Sequence, residues 1–395
     1  MKRIAHKLII QPPLWVVMLV FAFLAVAGSI ALCDEELAKR EIRMGREAAA
    51  EVEKEHKLIT DPQIIERVNS IGQAIAKIAN SVRVDASYGS SEICQFEYKF
   101  KVIEDDDINA FSLPGGFVYV NSGLLNYVQS DHELAAVLAH EIAHASHHHM
   151  TYLLKEQSRL DGRIALVLLA GMLTKMNATD LGNVLIGAQL VKIARMSGYG
   201  QKAEQDADRT AVDYLVKSNY NPVGMVTFLE RLARDYTNLP QPELGILRTH
   251  PPSRVRVKNT IARIEALGLP IKRRDVTKAV KAETEITSIN GQQIARIKLG
   301  ERVLFEPAPT AEGLSSEERA QAIAERVNQL LDSEPQLREI KVDFDKKAVV
   351  ARGNTLIVVT EEDVALQKKS AEELATQAAN TIKQVIWQEL VQSFY

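Results

Sequence analysis

The stretch Leu134–Met150, LAAVLAHEIAHASHHHM, places five histidines within ten residues: His140, His144, His147, His148 and His149. Ser130 and Glu133 have the spacing of a capping box, and ELAAVLAHEIAHA continues without Gly or Pro, which predicts one helix from Ser130 to about Met150. At about 100° per residue, His140 and His144 differ by about 40° and sit one turn apart, so both imidazoles can converge on one ion. Glu141 lies beside them, within reach of water at that ion. The uncharged Ile142, Ala143 and Ala145 suit a helix buried beneath a cleft. Two neutral imidazoles, a carboxylate as general base and an open position for water form the HExxH arrangement of zinc-dependent peptide hydrolysis.

The other three histidines fall outside that geometry. His147 is about 20° from His140 but about 10 Å further along the axis, His149 points to the opposite face, and His148 to the flank. They are expected at the exposed end of the same helix, where positive charge favours the C-terminal dipole. The extended signature HExxHxxGxxH is excluded, because position 147 is His and position 150 is Met. A third ligand must therefore come from elsewhere. In AEQDADRTAVDYLV, Glu204 and Asp208 are four apart and share a helical face. Glu204 can complete a two-His, one-Glu site for one Zn2+ per chain, and Asp208 can hydrogen-bond a ligand imidazole and fix its tautomer. The small Ala203 and Ala207 suggest close packing, and Asp206 is expected to face solvent.

The N-terminus bears on where such a site would work. MKRIAHK is basic, Leu14–Cys33 carries no charge, and an acidic segment opens at Asp34, a pattern that exports the chain with its positive end retained. Small Ser29 and Ala31 favour a cleaved signal, although the uncharged run is also about long enough for an inner-membrane anchor. The remainder is expected in the bacterial periplasm, touching membrane only through this segment. Leu32 before Cys33 argues against lipidation. With Cys33 and Cys94 as its only cysteines the chain is not built on a disulfide framework, and Cys94 reads as a small apolar residue in a half-buried strand. A net charge of -3 without a basic, aromatic-rich stripe excludes nucleic-acid binding.

The texture of the chain divides it into an N-terminal segment 1–33, a mostly helical part 34–270 and a third part 275–395. The second part includes an apolar run RIALVLLAGMLTKM and one β-rich island, FEYKFKVIE with a turn at Pro114–Gly116 and the strand FVYV. The third alternates short strands with two helices: a hairpin turning at Asn290 and Gly291, a capping box at Ser315 and Glu318, strands AVVA and TLIVV, and a last helix capped by Ser370 and Glu373. It holds no histidine or cysteine, so a docking role for substrate or an envelope assembly partner is expected there rather than a second metal centre. The fold class is α+β.

The set NAFSLPGGFVYVNSGLL, ELAAVLAHEIAHASHHH, AEQDADRTAVDYL, NYNPVGMVTFLERL and THPPSRVRV, running in order from about Glu41 to Gly268, resembles the gluzincin metallopeptidases of the CAAX prenyl protease/HtpX family. Its closest likeness is to the periplasmic branch of β-barrel assembly-enhancing proteases. The resemblance implies a zincin-like domain with Glu204 as third zinc ligand and Asp208 beside it. It also implies that His250, in THPP, approaches the metal, either to stabilise the transition state or to block a latent site, and that Arg256 follows it to steady the oxyanion. On the same reading Gly115, Gly116 and Phe117 either offer an unpaired strand edge to an extended peptide or belong to an ordinary hairpin, with Asn109 anchoring the turn. The C-terminal part departs from these relatives, which carry helical repeats there, and is similar to a small α+β module found in some periplasmic segments of mechanosensitive channels. The expected function is zinc-dependent cleavage of misfolded or misassembled envelope proteins. Two other readings are a latent, His250-plugged, chaperone-like binder, and a metal-storage or sensing protein using His147, His148 and His149 as a surface patch.

Overall fold

The computed structural model describes residues 35–160, 190, 199–238, 245–246, 250, 254–289, 291–333 and 335–392. The segment Leu14–Cys33 and the apolar run RIALVLLAGMLTKM lie outside these residues. The chain enters through helix α1 (Glu35–Glu55) and α2 (Pro62–Ala79). Asp61 caps α2 by accepting from the backbone of Gln63 and Ile64, and Pro62 opens it where no donor is needed. Strands β1 (Lys99–Ile103), β2 (Ala110–Leu113) and β3 (Phe117–Asn121) follow, in the spatial order β1-β3-β2.

That order corrects the expected substrate edge. Gly115, Gly116 and Phe117 do not border a free strand, because β3 is central: Phe117 pairs with Lys99 on one side and Leu113 on the other. The hairpin β2–β3 is visible in the local pattern, but the parallel addition of β1 to the far side of β3 is a long-range event. Among the described residues the outer strands are β2 and β1, the latter bridged to Leu58 at Ile103. The two glycines serve packing instead. At φ of +75° and +90° they shape the turn, and a Cβ on Gly115 would lie 2.5 Å from Ile42 Cα of α1. On the helix side, a Cβ on Gly45 would lie 1.8 Å from the carbonyl oxygen of Pro114. Gly45→Ala is therefore expected to cost about 2–3 kcal/mol, lowering Tm by roughly 5–10 °C in scanning calorimetry; an unchanged Tm would contradict this docking.

Helices α3 (Ser122–Tyr127), α4 (Asp131–Ser146), α5 (His149–Leu160), α6 (Gln201–Val216), α7 (Val223–Asn238) and α8 (Arg254–Ala266) complete this part. From Glu133 to Ala145 every residue of α4 is buried, its charged residues Glu133 and Glu141 included. Leu134, Leu138 and Ile142 share a core with Phe100, Val118, Tyr214 and Phe228. Ser130 caps α4 by accepting from Glu133 N, while the Glu133 carboxylate turns to Arg231 of α7 at 2.5 Å, tying two helices through a buried ion pair. Cys94 is buried and disulfide-bonded, outside any strand, rather than the expected small apolar residue; the other cysteine of the sequence, Cys33, lies outside the described residues.

The C-terminal part has two antiparallel three-stranded meanders, β4 (Ala282–Ile289), β5 (Gln292–Leu299), β6 (Arg302–Phe305) and β7 (Ile340–Asp343), β8 (Ala348–Ala351), β9 (Asn354–Val358). Helices α9 (Ser316–Asp332), α10 (Glu361–Gln367) and α11 (Ala371–Gln392) pack with them. The Ser315–Glu318 capping box forms, and Ser370 and Glu373 exchange the same pair of bonds before α11. A core of its own includes Ile297, Phe305, Ile323, Val327, Val349, Ile357, Leu374 and Ile382. The described residues are thus mainly helical with small sheets, and none of their helices is long and apolar enough to cross a membrane.

Candidate active site

Helices α4 and α6 lie against each other, and their histidine and glutamate faces meet. His140 Nε2 and His144 Nε2 are 3.0 Å apart; Glu204 Oε2 is 3.5 Å from His140 Nε2 and Glu204 Oε1 3.4 Å from His144 Nε2. His250 joins them, its Nδ1 2.9 Å from Glu204 Oε1 and 3.2 Å from His140 Nε2. Each of the four residues offers a donor atom within 4.8 Å of the others, close enough for one ion to bridge them. Glu141 Oε2 and His250 Nε2 are buried there without a hydrogen-bond partner, and Glu204 Oε2 has ion-pair contacts alone, which leaves polar capacity for an ion and water. The residues present therefore fit a divalent metal, with His140, His144 and Glu204 as ligands and His250 Nδ1 in the fourth position. Glu141 Oε1 lies 3.3 Å from His250 Nε2, next to that position.

The electrostatics follow from burial opposed by partners. Burial raises the Glu141 carboxyl above its usual range against the pull of His250 and His140, which suits a base that must take up a proton. Glu204 is held well below its usual range by His250 and Arg256 in spite of burial, and Asp208 is held low by Arg256. Burial drives His144 down to about 3, whereas Asp208 and Glu204 overcome burial and lift His140 to about 9. A proton at His140 thus competes with a metal, and metal binding must release it. Asp208 Oδ1 is 3.0 Å from His140 Nδ1 but off the ring N–H direction, so the contact is electrostatic.

Arg256 departs from the oxyanion role expected for it. Its Nε and Nη2 donate to the two Asp208 oxygens at 2.7 and 2.6 Å, and its Nη1 reaches Glu204 Oε2 at 2.9 Å. The guanidinium fork is spent on holding the two carboxylates of α6, a positioning task. Asp206 is likewise not solvated: it is buried, and its Oδ2 accepts from Ser87 N, Ser87 Oγ and Tyr88 N.

The largest correction concerns the trailing histidines. The helix stops at Ser146, His148 takes a left-handed φ of 58°, and α5 starts at His149. Such a φ costs a non-glycine residue about 1–2 kcal/mol, offset here by side-chain partners. His147, His148 and His149 are all buried. His147 bonds Ser90 O and Thr210 Oγ1, His148 bonds Glu41 Oε2 and meets Cys94 Sγ, and His149 Nδ1 meets His144 Nδ1 at 2.8 Å. These three form no exposed patch for storing metal, and the reading that used them loses its basis. Tyr199 was also not foreseen; its ring stacks on His144 with centroids 4.0 Å apart.

Known proteins resemble the chain over the stretch that holds this cluster. The family described as peptidase family M48 matches residues 67–264, half of the chain, a stretch that includes every residue of this cluster. The chain belongs to peptidase family M48. It is 33% identical to the β-barrel assembly-enhancing protease of Yersinia pestis over 230 residues, which cover 57% of this chain and 43% of that protein. It is 32% identical to its counterpart in Escherichia coli (strain K12) over 215 residues, 54% of this chain and 41% of that one. The metalloprotease YcaL of Escherichia coli is 27% identical over 203 residues, 51% of this chain and 73% of the relative. The chain therefore matches less than half the length of the β-barrel assembly-enhancing proteases. Residues 294–389 match a separate family, described as a domain of unknown function (DUF8459).

Proposed function

We propose that this M48 peptidase is a zinc-dependent endopeptidase that acts in the bacterial periplasm on misfolded or misassembled envelope proteins. The observation that carries the reading is the convergence of His140, His144 and Glu204 with Glu141 beside the fourth position. When bound, Zn2+ would polarise the scissile carbonyl and make water acidic enough to attack at neutral pH. Glu141, its carboxyl raised by burial, takes the proton from that water and hands it to the leaving amine. Arg256 and Asp208 hold Glu204 and His140 in place. The outer edge of β2, buried in this state, is the segment we assign to an extended peptide, and Ser112 on it is among the groups that act on Glu141. The C-terminal part, without histidine or cysteine, is the candidate for docking substrate or an assembly partner. The names of the relatives support an envelope-protein substrate.

A second, closed state is favoured by one further observation. His250 Nδ1 occupies the fourth position, every ligand is buried, and β2 is buried along its whole length. A polypeptide can reach the centre only after the segment bearing His250 moves. The test is hydrolysis of a denatured β-barrel envelope protein by the purified chain. Chelation is expected to abolish cleavage and Zn2+ to restore it; cleavage indifferent to chelation would overturn the metallopeptidase reading. His250→Ala is expected to raise the rate at least about tenfold if the segment is a plug. Unchanged binding without cleavage in that variant would favour the chaperone-like binder instead.

A further inference from the structure

The metal centre accounts for His140 and His144 but leaves His149, at 0% exposure, without a task. Its two ring nitrogens have one partner each: Nδ1 lies 2.8 Å from His144 Nδ1, and Nε2 lies 3.1 Å from the carbonyl oxygen of Tyr88. A carbonyl only accepts, so His149 carries its proton on Nε2, and the neutral ring presents a lone pair at Nδ1. Across the gap between the rings one nitrogen must donate. His144 therefore carries its proton on Nδ1, which leaves its lone pair on Nε2, facing His140 and Glu204. Starting from a backbone carbonyl, the chain of partners arrives at the tautomer that a metal ligand needs.

We propose that His149 is a positioning residue for the metal ligand His144, fixing its tautomer and ring orientation through a relay that ends on Tyr88. The proposal rests on the reading of His140, His144 and Glu204 as a metal centre. The relay is anchored at its far end. Asp206 accepts from Ser87 N at 2.7 Å and Tyr88 N at 2.6 Å, and Ser90 N donates to His147 O at 3.0 Å. Gly89, at φ +91°, lies so close that a Cβ would be 2.1 Å from His147 O and 3.0 Å from His149 Cδ2. A side chain at 89 must push the loop away from His149. Asp206 also sits between Glu204 and Asp208 on α6, facing the other way. One helix thus supplies the third ligand from one face and, from the other, holds the loop that orients the second.

The test measures Zn2+ affinity of the full chain by chelator competition, together with the visible spectrum of its Co2+ form. His149→Leu keeps the volume and removes the acceptor; His149→Asn returns an oxygen near the Nδ1 position. The expected result is Zn2+ binding about 10–100-fold weaker and an altered Co2+ band for Leu, with Asn recovering to within about threefold. Gly89→Ala should weaken binding too, and should add little to His149→Leu, because both act through the same contact. Wild-type affinity and spectrum in His149→Leu overturn the proposal. Equal losses in Leu and Asn, tracking a lower Tm of the metal-free protein, also overturn it by marking a packing role. If His149→Leu does not fold, Asn and Gly89→Ala decide by the same criteria. A wild-type chain that binds no metal overturns the metal-centre reading along with the relay, whereas failure of the relay alone leaves wild-type binding intact.

Discussion

Glu141→Gln is expected to lower the rate of peptide hydrolysis by about a thousandfold while leaving metal content and fold as they are. General-base catalysis is worth roughly 10²–10⁴ in rate, and among the described residues no other carboxylate lies at this cluster free of another duty. Glu204 is a candidate ligand, and Asp208 is bound by both ends of the Arg256 fork. Glutamine preserves shape and removes a charge from a fully buried site that already disfavours it, so Tm should hold or rise. The measurement is single-turnover cleavage of an unfolded envelope protein beside metal analysis of the same preparation. Wild-type cleavage by a metal-loaded Glu141→Gln chain would show that the base lies elsewhere. In the native envelope the same variant should retain substrates that the wild type degrades, which identifies them.

Arg256→Met should produce the largest loss of stability at the site. Arg256 is 6% exposed, donates to Asp208 with two nitrogens and lies 2.9 Å from Glu204 with a third, so its removal leaves two buried carboxylates with histidines alone to balance them. Breaking a buried pair from one side costs about 3–5 kcal/mol, a fall in Tm of roughly 10 °C for a domain of this size. Methionine fills most of the volume, so the loss reports charge and hydrogen bonding rather than a cavity. Arg256→Lys, which keeps the charge but loses the fork, should fall between. Added Zn2+ should recover part of the deficit, since its charge also neutralises Glu204. Equal metal-free Tm values for wild type and Arg256→Met would contradict the geometry.

Much of the site could be read along the chain. His140, Glu141 and His144 follow from helical angle and rise, and Glu204 with Asp208 from spacing and small neighbours. These are properties of single helices, and a helix imposes the same angles wherever it packs. The trailing histidines could not be placed that way. Their helix breaks at His148 because Ser90 N and Gly89, far upstream, pack against His147 O, and no pattern within ASHHHM marks that event. Asp206 was misplaced for the same reason: its face of α6 looks polar, yet its partners are backbone donors of a loop whose position the local pattern does not reveal.

The division between the two kinds of knowledge follows from range. Repeating geometry within one element carries through to the fold, which is why the grouping of two imidazoles with nearby carboxylates was apparent from residue order. Strand neighbours, the edge left open and the orientation of charged forks depend on residues brought together from distant parts of the chain. The exchange of the expected edge from Phe117 to β2, and of Arg256 from oxyanion donor to carboxylate clamp, are long-range contacts of this kind. So is the burial of His149, which turns an apparent surface histidine into the buried partner of His144.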